Sequence, residues 1–341
     1  MSQKKKILFI GGSKNQTTMM IRISEQLSEY ECYFSAYYGD GFVEILRKLK
    51  IIEHTVLGYK SRFQTEELLK KRELQIDYRG EKNNYDYVFT SSDLVIPNNI
   101  KSKKVILVQE GMTDPDSVAY YIVRYLKLYR YLASTSMTGL SHAYDLFCVA
   151  SDGYKEYFVK RGCDPDKLVV TGIPNFDNCK ESYNNNFPYK NYVLVCTSDI
   201  RETFRYENRK KFILKALKIA GDKLLIFKLH PNEKVERATE EINQYAPNAL
   251  VYAAGNTNEM IANCDILITK YSTVVYVGLA LGKESYSFFD IDRLKKMTPI
   301  QNGGKSAENI ANAFRHRIAN ENFLTDNQAI SGNILKTASV L

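Results

Sequence analysis

Two short apolar runs, each closed by a polar loop, constrain this 341-residue chain more than anything else in it. The first is Leu224 to Leu229, followed by His230-Pro231-Asn232. The second is Ile266 to Thr269, followed by Lys270-Tyr271-Ser272-Thr273 and a further apolar stretch to Gly282. A run of this length between turn signals is the pattern of a strand buried on both faces of a parallel sheet. Ligands of open parallel sheets sit outside the carboxyl ends of the strands. His230 and the Ser272-Thr273 pair are therefore expected on one sheet edge. Ser272 and Thr273 also stand where the next helix begins, and the free N–H groups and positive dipole end there favour a phosphate. The pattern predicts a cradle for a nucleoside mono- or diphosphate.

The rest of the chain alternates in the same way. Lys6 to Ile10 is an apolar strand ending in Gly11-Gly12-Ser13, and Met19, Met20, Ile23 and Leu27 then recur at helical spacing. Strands are predicted at Cys32–Tyr37, Thr55–Leu57, Tyr85–Thr90, Lys104–Gln109 and Tyr144–Ala150. Helices are predicted at Gly41–Leu49, Arg62–Leu74, Asp114–Leu132 and Asp152–Arg161. The polar, Asn-rich stretch Asn178 to Lys190 reads as a linker. A second series of strands begins at Tyr192 and passes through Lys223–Leu229, Leu250–Tyr252, Ile266–Thr269 and Ser285–Phe288. Strands alternating with helices make βαβ units and parallel sheets. The expectation is an α/β protein of two Rossmann-like domains, 1–178 and 191–320, with parallel sheets facing across a cleft, and a tail over 321–341.

Three motifs carry a family resemblance. Lys228-Leu229-His230-Pro231, then Ser272-Thr273 about 40 residues on, then Gly278-Leu279-Ala280-Leu281-Gly282-Lys283, resembles the C-terminal half of GT-B glycosyltransferases. Gly162 to Lys167 followed by Thr171-Gly172-Ile173-Pro174 is similar to the run that closes the first domain of that fold. Glu110-Gly111 resembles its acidic-glycine motif, although the relatives carry two acidic residues there and this chain has Gln109 at the first. The groups most alike are bacterial polysialyltransferases, Kdo transferases and CDP-glycerol glycerophosphotransferases. The resemblance implies transfer of a sugar from a CMP- or UDP-linked donor to a surface polysaccharide or lipid-linked acceptor. It implies no cofactor, the nucleotide-sugar being a substrate, and no required metal. Polyol-phosphate transfer from CDP-glycerol shares the same motifs. A UDP-N-acetylglucosamine 2-epimerase shares the layout but usually reads Ser-Gly-Gly where this chain has Tyr271-Ser272-Thr273. A non-catalytic glycan-binding subunit is the alternative of another class.

The candidate residues follow. Glu110, at a strand end beside a glycine, would take the acceptor hydroxyl proton; a capping role is its alternative, and Asp114 or Asp116 would replace it as base. His230 would stabilise the leaving nucleotide, with Pro231 shaping its loop. Ser272 and Thr273 would bind phosphate, and simple helix capping uses the same geometry. Arg201 and Arg205 would clamp phosphate in bidentate fashion, Lys228 would add a charge from the strand, and Glu259 would hold a ribose hydroxyl. Gly11, Gly12, Ser13 and Gly111 would let the acceptor approach. His54 and His142 carry no such context.

Composition bounds the remaining possibilities. Lys and Arg number 47 against 39 Asp and Glu, a formal charge of +8. That suits a nucleotide, an anionic acceptor or the acidic inner leaflet of a membrane. The basic, Tyr-rich stretch Asp114 to Leu132 would lie at such an interface. No apolar run approaches the roughly 20 residues of a membrane span, and Ile7 to Ile10 is too short for a signal-peptide core. A cytoplasmic protein, peripheral on the inner membrane, is expected. No Gly-x-x-x-x-Gly-Lys phosphate loop and no nucleic-acid partner are read from the sequence. The six cysteines lack metal-ligand spacing and are expected to be packed thiols.

Overall fold

A computed structural model describes residues 4–53, 55–202 and 206–320. His54, Arg205 and the tail, all discussed above, lie outside the described residues.

Six strands form the first sheet: β1 (Lys6–Gly11), β2 (Glu31–Ala36), β3 (Tyr87–Thr90), β4 (Lys104–Val108), β5 (Leu146–Val149) and β6 (Leu168–Val170). All neighbours are parallel, in the order β2-β1-β3-β4-β5-β6. The second sheet contains β7 (Val193–Cys196), β8 (Leu225–Lys228), β9 (Leu250–Tyr252), β10 (Ile266–Thr269) and β11 (Glu284–Tyr286). It too is all parallel, in the order β11-β10-β7-β8-β9. Each order reverses direction once, between β1 and β3 and between β7 and β10. A doubly wound sheet opens its ligand crevice at that reversal. The loops after β1 and β10, which carry Ser13 and Ser272, are therefore at the two crevices.

Helices cover both sheets. In the first domain they are α1 (Lys14–Ser24), α2 (Gly41–Lys48), α3 (Tyr59–Lys71), α4 (Val118–Tyr125) and α5 (Asp152–Lys160). In the second they are α6 (Arg209–Ala220), α7 (Val235–Tyr245), α8 (Thr257–Asn263), α9 (Val274–Ala280) and α10 (Ile291–Met297). A last helix spans 306–320. In α1 the expected stripe is buried, with Met19, Met20 and Ile23 inaccessible, and Ser13 and Gln16 form a reciprocal capping box at its start.

Two predicted elements differ. Thr55–Leu57 is a turn rather than a strand, because Thr55 N–H and hydroxyl both close back on Ile52 O. The long helix expected over Asp114–Leu132 is only Val118–Tyr125, capped by the Ser117 hydroxyl rather than by Asp114. Leu128 N–H closes on Val123 O and Lys127 turns into the left-handed region at φ 52°.

The first core is built on Phe9, stacked between Phe34 and Phe89 with centroids 5.4 and 4.9 Å away. The last helix adds to it from the far end of the chain. Its Phe314 ring meets Tyr87 at 4.9 Å and Phe89 at 5.1 Å. Arg315 then binds Glu29 at 2.7 Å and Gln26 O at 2.6 Å. Val275 and Tyr276 of α9 join the same core, and the Tyr154 and Tyr276 hydroxyls share a buried 2.7 Å hydrogen bond across the two domains. The second domain is packed on either side of its sheet by separate clusters around Phe227 and Leu194.

Candidate active site

On the first domain's edge, Glu110 stands two residues beyond β4 and is half-buried. Its carboxylate accepts from the Ser13 hydroxyl at 3.1 Å and from Gln16 Nε2 at 2.6 Å. Gln16 cannot turn its amide over, because Oε1 accepts Gly12 N–H at 2.7 Å and Ser13 N–H at 3.3 Å. The start of α1 thus fixes the carboxylate with two uncharged donors and with the positive end of a helix. Gln109 is buried and structural: Nε2 donates to Gly111 O at 2.8 Å and Oε1 accepts Ala150 N–H at 2.9 Å. An acidic side chain there would lack the amide donor. The two substitute bases are engaged elsewhere, Asp114 with the Thr135 hydroxyl at 2.9 Å and Asp116 with Arg161 at 2.8 Å.

The glycines here make room for protein. A Cβ on Gly12 would lie 2.7 Å from Gln16 Oε1 and 2.9 Å from Val56, so this tight approach serves the strand–helix junction. Gly111 differs: its missing Cβ would meet Thr273 of the second domain at 2.9 Å. The acidic-glycine motif and the Ser-Thr pair, 162 positions apart in sequence, are thus brought face to face.

On the second domain's edge, His230 follows β8. Its N–H donates to Thr197 Oγ1 and to Glu233 Oε2, each at 3.0 Å. Asn232 N–H donates to His230 Nδ1 at 3.2 Å, so the neutral ring carries its proton on Nε2, on a side chain one-third exposed. Glu233 is fully buried and also holds the Thr197 hydroxyl and Arg209. Arg209 reaches on to Glu207 at 2.8 Å, and Glu207 to Lys270 at 2.5 Å. Burial pulls the Lys270 ammonium below the usual lysine value, with Glu207 acting the other way. Charges this far from water persist only when paired.

Arg201 and Lys228 sit in this region with other partners than the expected phosphate. The Arg201 fork lies on Glu241 of α7, with both contacts at 2.7–2.8 Å, which fills the bidentate face a phosphate would need. Lys228 is buried and donates to the Leu229 and Ala253 carbonyls at 2.9 and 3.2 Å, tying β8 to β9. Desolvation lowers its affinity for a proton. Pro231 is exposed beside His230. Ser272 and Thr273 are half-buried, and Thr273 makes no capping hydrogen bond to α9. Simple capping is therefore not what the Thr273 hydroxyl does. Glu259 lines a polar cleft of about 300 Å³ between the linker and α8, where its Oε1 accepts from Asn256 Nδ2 at 2.8 Å.

Sequence reasoning missed Gln16, Thr197, Glu207, Arg209, Glu233 and Lys270. Gln16 was legible as the fourth member of the Ser13-x-x-Gln16 capping pattern. Nothing local marks Glu207 or Arg209 as buried, since charged residues before and at the start of a helix read as solvated. Among the described residues no group of three or more His, Cys, Asp or Glu is placed to hold a metal ion.

Two parallel-sheet α/β domains are the architecture of the GT-B class, and solved structures of that class share the fold. The sequence profile of the CDP-Glycerol:Poly(glycerophosphate) glycerophosphotransferase family matches residues 19–281. The chain belongs to that family, a family of transferases. Similar folds include a putative UDP-N-acetylglucosamine 2-epimerase from Listeria monocytogenes, 13% identical over 95% of this chain and 98% of that one, TM-score 0.56. The S. aureus MnaA–UDP co-structure is 13% identical over 93% and 97%, TM-score 0.55. A wall teichoic acid polymerase TagF variant with CDPG is 14% identical over 93% and 90%, TM-score 0.51. No curated protein matches the sequence.

Proposed function

We propose that this protein transfers a polyol phosphate from a cytidine-diphosphate-activated donor, such as CDP-glycerol, to a hydroxyl of a surface-polymer acceptor. The observation that carries this reading is the family match, whose residues 19–281 include Glu110, His230, Ser272 and Thr273. The chemistry suits the two edges. The acceptor oxygen attacks the phosphorus that bears the polyol, its proton passes to Glu110, and the bond from that phosphorus to the CMP oxygen breaks. His230 Nε2–H and the uncapped start of α9 would stabilise the departing phosphate. The donor would rest on the second domain and the acceptor on the first.

Glycosyl transfer from a CMP- or UDP-sugar, which the motifs alone suggest, would use the same cradle. The likeness to epimerases rests on 13% identity and speaks for the fold only. The deciding assay incubates the full chain with CDP-glycerol and an oligomeric glycerol-phosphate primer and measures CMP release. Primer-dependent release is expected. Inert CDP-glycerol together with turnover of a nucleotide-sugar would overturn the reading. Nucleotide binding without turnover of any donor would point to the non-catalytic alternative.

A further inference from the structure

We infer that the acceptor polymer leaves the cleft along a track on the second domain, between α6 and the edge strand β11, held by aromatic rings at the cleft mouth and by lysines beyond it. The ligand is a chain of polyol units joined by phosphodiesters, and in that the inference rests on the proposed function.

The mouth of the track adjoins the candidate site. Tyr271 immediately precedes Ser272, and its ring lies 5.7 Å from that of Phe288 and 4.9 Å from that of Phe289, centroid to centroid. Tyr271 is 42% and Phe288 55% exposed. The loops that carry them, after β10 and β11, are fastened together: the Ser287 hydroxyl and Phe288 N–H both donate to Lys270 O, at 2.8 and 3.4 Å. Phe289 packs against the core of the first domain. Rings fixed this firmly and still left in water form a contact surface beside the site, and such a shelf suits the C–H face of a polyol chain.

Behind the mouth stand the lysines. Lys215 Nζ lies 5.9 Å from the Phe288 ring centroid. Lys211 and Lys218 flank Lys215 at helical spacing, so three ammonium groups follow one face of α6 over about 10 Å. All three are exposed, and among the described residues none pairs with a carboxylate. Across from them, Tyr286 of β11 is in register with Ile268, which belongs to the core beneath α6, so Tyr286 and Phe288 share the α6 face of the sheet. Tyr286 and Leu214 are 37% and 46% exposed there. The nearby carboxylates are engaged: Glu284 accepts the Tyr286 hydroxyl at 2.6 Å and Asp290 accepts Arg293 N–H at 2.7 Å. Helix α6 lies between the parallel strands β7 and β8 in the chain, so it runs from the carboxyl edge back to the amino edge, and its lysines lead away from the cleft.

Charge selects the occupant. Three unpaired lysines repel a second copy of the same face, whereas a polyanion complements them. A single phosphate cannot span both the rings and the helix. The attacked hydroxyl meets Glu110 on the first domain, where Gly111 faces Thr273; the units behind it pass Tyr271, two residues away, to reach Lys215.

The test is fluorescence anisotropy of the full chain with labelled oligo(glycerol phosphate) of three and of twelve units, beside CMP release with the same unlabelled primers. The longer chain should bind more tightly. Lys215→Glu should raise its Kd roughly 10-fold, a lost exposed ion pair plus the repulsion of the reversed charge, and leave the three-unit Kd nearly unchanged. Phe288→Ser should raise the twelve-unit Kd roughly 5-fold. In turnover, Lys215→Glu should raise KM for the twelve-unit primer by a similar factor, with kcat and the donor KM unchanged. Equal losses for Lys215→Glu and for Lys71→Glu, an exposed reversal on α3, would overturn the track, because binding would then follow net charge alone. A weaker Kd for CDP, with primer binding intact, in Phe288→Ser would assign the shelf to the donor and overturn it as well. Primer binding that depends on Lys215 and Phe288 without CMP release would overturn the proposed function and uphold the track. CMP release with a twelve-unit KM indifferent to both substitutions would overturn the track and uphold the function.

Discussion

The two edges of the cleft hold their key side chains by opposite means. On the first domain, Glu110 is fixed by a hydroxyl and an amide, both neutral, at the start of α1. On the second, the His230 loop rests on Glu233, which is one of six charged groups in contact: Arg201, Arg209 and Lys270 against Glu207, Glu233 and Glu241. Neutral donors orient the carboxylate without pairing it to a cation. The cluster makes a stiff mount in which Arg201, Arg209 and Lys270 are already paired; under the proposed function the donor phosphate would be met by His230 and the start of α9.

The largest expected effect lies on the neutral side. Glu110→Gln should lower turnover by about 10²–10⁴-fold while the melting temperature stays near that of the wild type, because a half-exposed amide can keep one of its two hydrogen bonds. Near-normal turnover would remove Glu110 from the chemistry. On the charged side the effect should fall on stability instead. Glu233→Ala takes from Arg209 one of its two carboxylates, leaving Glu207, and unmakes the bonds to the Thr197 hydroxyl and His230 N–H, and should cost about 3–5 kcal/mol in urea unfolding; a loss below about 1 kcal/mol would mean that water replaces the carboxylate and the mount is soft.

The contact between the domains should matter less. Tyr276→Phe removes one partner of the buried hydroxyl pair with Tyr154 and should cost about 1 kcal/mol, again read by urea unfolding. The smallest effect is a pH dependence. The hydrogen bond from Arg201 holds Glu241 below the ordinary glutamate value. A carboxylate depressed in the folded state stabilises above its unfolded pKa of about 4.5 and loses that contribution as pH falls through the folded value. Wild type and Glu241→Gln should therefore differ most in unfolding free energy at pH 6, with the gap narrowing as pH falls below the ordinary glutamate value. A gap that is constant from pH 6 to pH 3 would show the pairing to be inert.

Much of this architecture could be read from the chain because its strands are buried on both faces. Runs such as Ile7–Ile10 and Leu225–Leu229 have no solvent side to confuse the pattern. The strand ends then place Glu110, His230 and Thr273 on carboxyl edges without further information. Helix ends were harder. Asp114-Pro115 offered a start signal, yet Ser117 supplies the cap, since the Thr135 hydroxyl binds both Asp114 N–H and its carboxylate. The partners of basic residues are not legible in the sequence. Lys228 and Arg201 look available in one dimension, but their partners Ala253 and Glu241 lie 25 and 40 residues away. The pairing that completes the cluster at Glu207, Glu233 and Lys270 is likewise non-local, and no short pattern records it.

The last helix places a constraint on the order of events during synthesis. Phe314 and Ile310 complete a core whose other members lie mostly before residue 175, with Val275, Tyr276, Leu294 and Met297 joining them from the second half. Domains commonly fold as they emerge, at about 5–20 residues per second. Here the first domain must wait for roughly 140 further residues, on the order of 10–30 s at that pace. Through that interval the faces of Tyr87 and Phe89 that later receive Phe314 stay uncovered on the ribosome-bound chain.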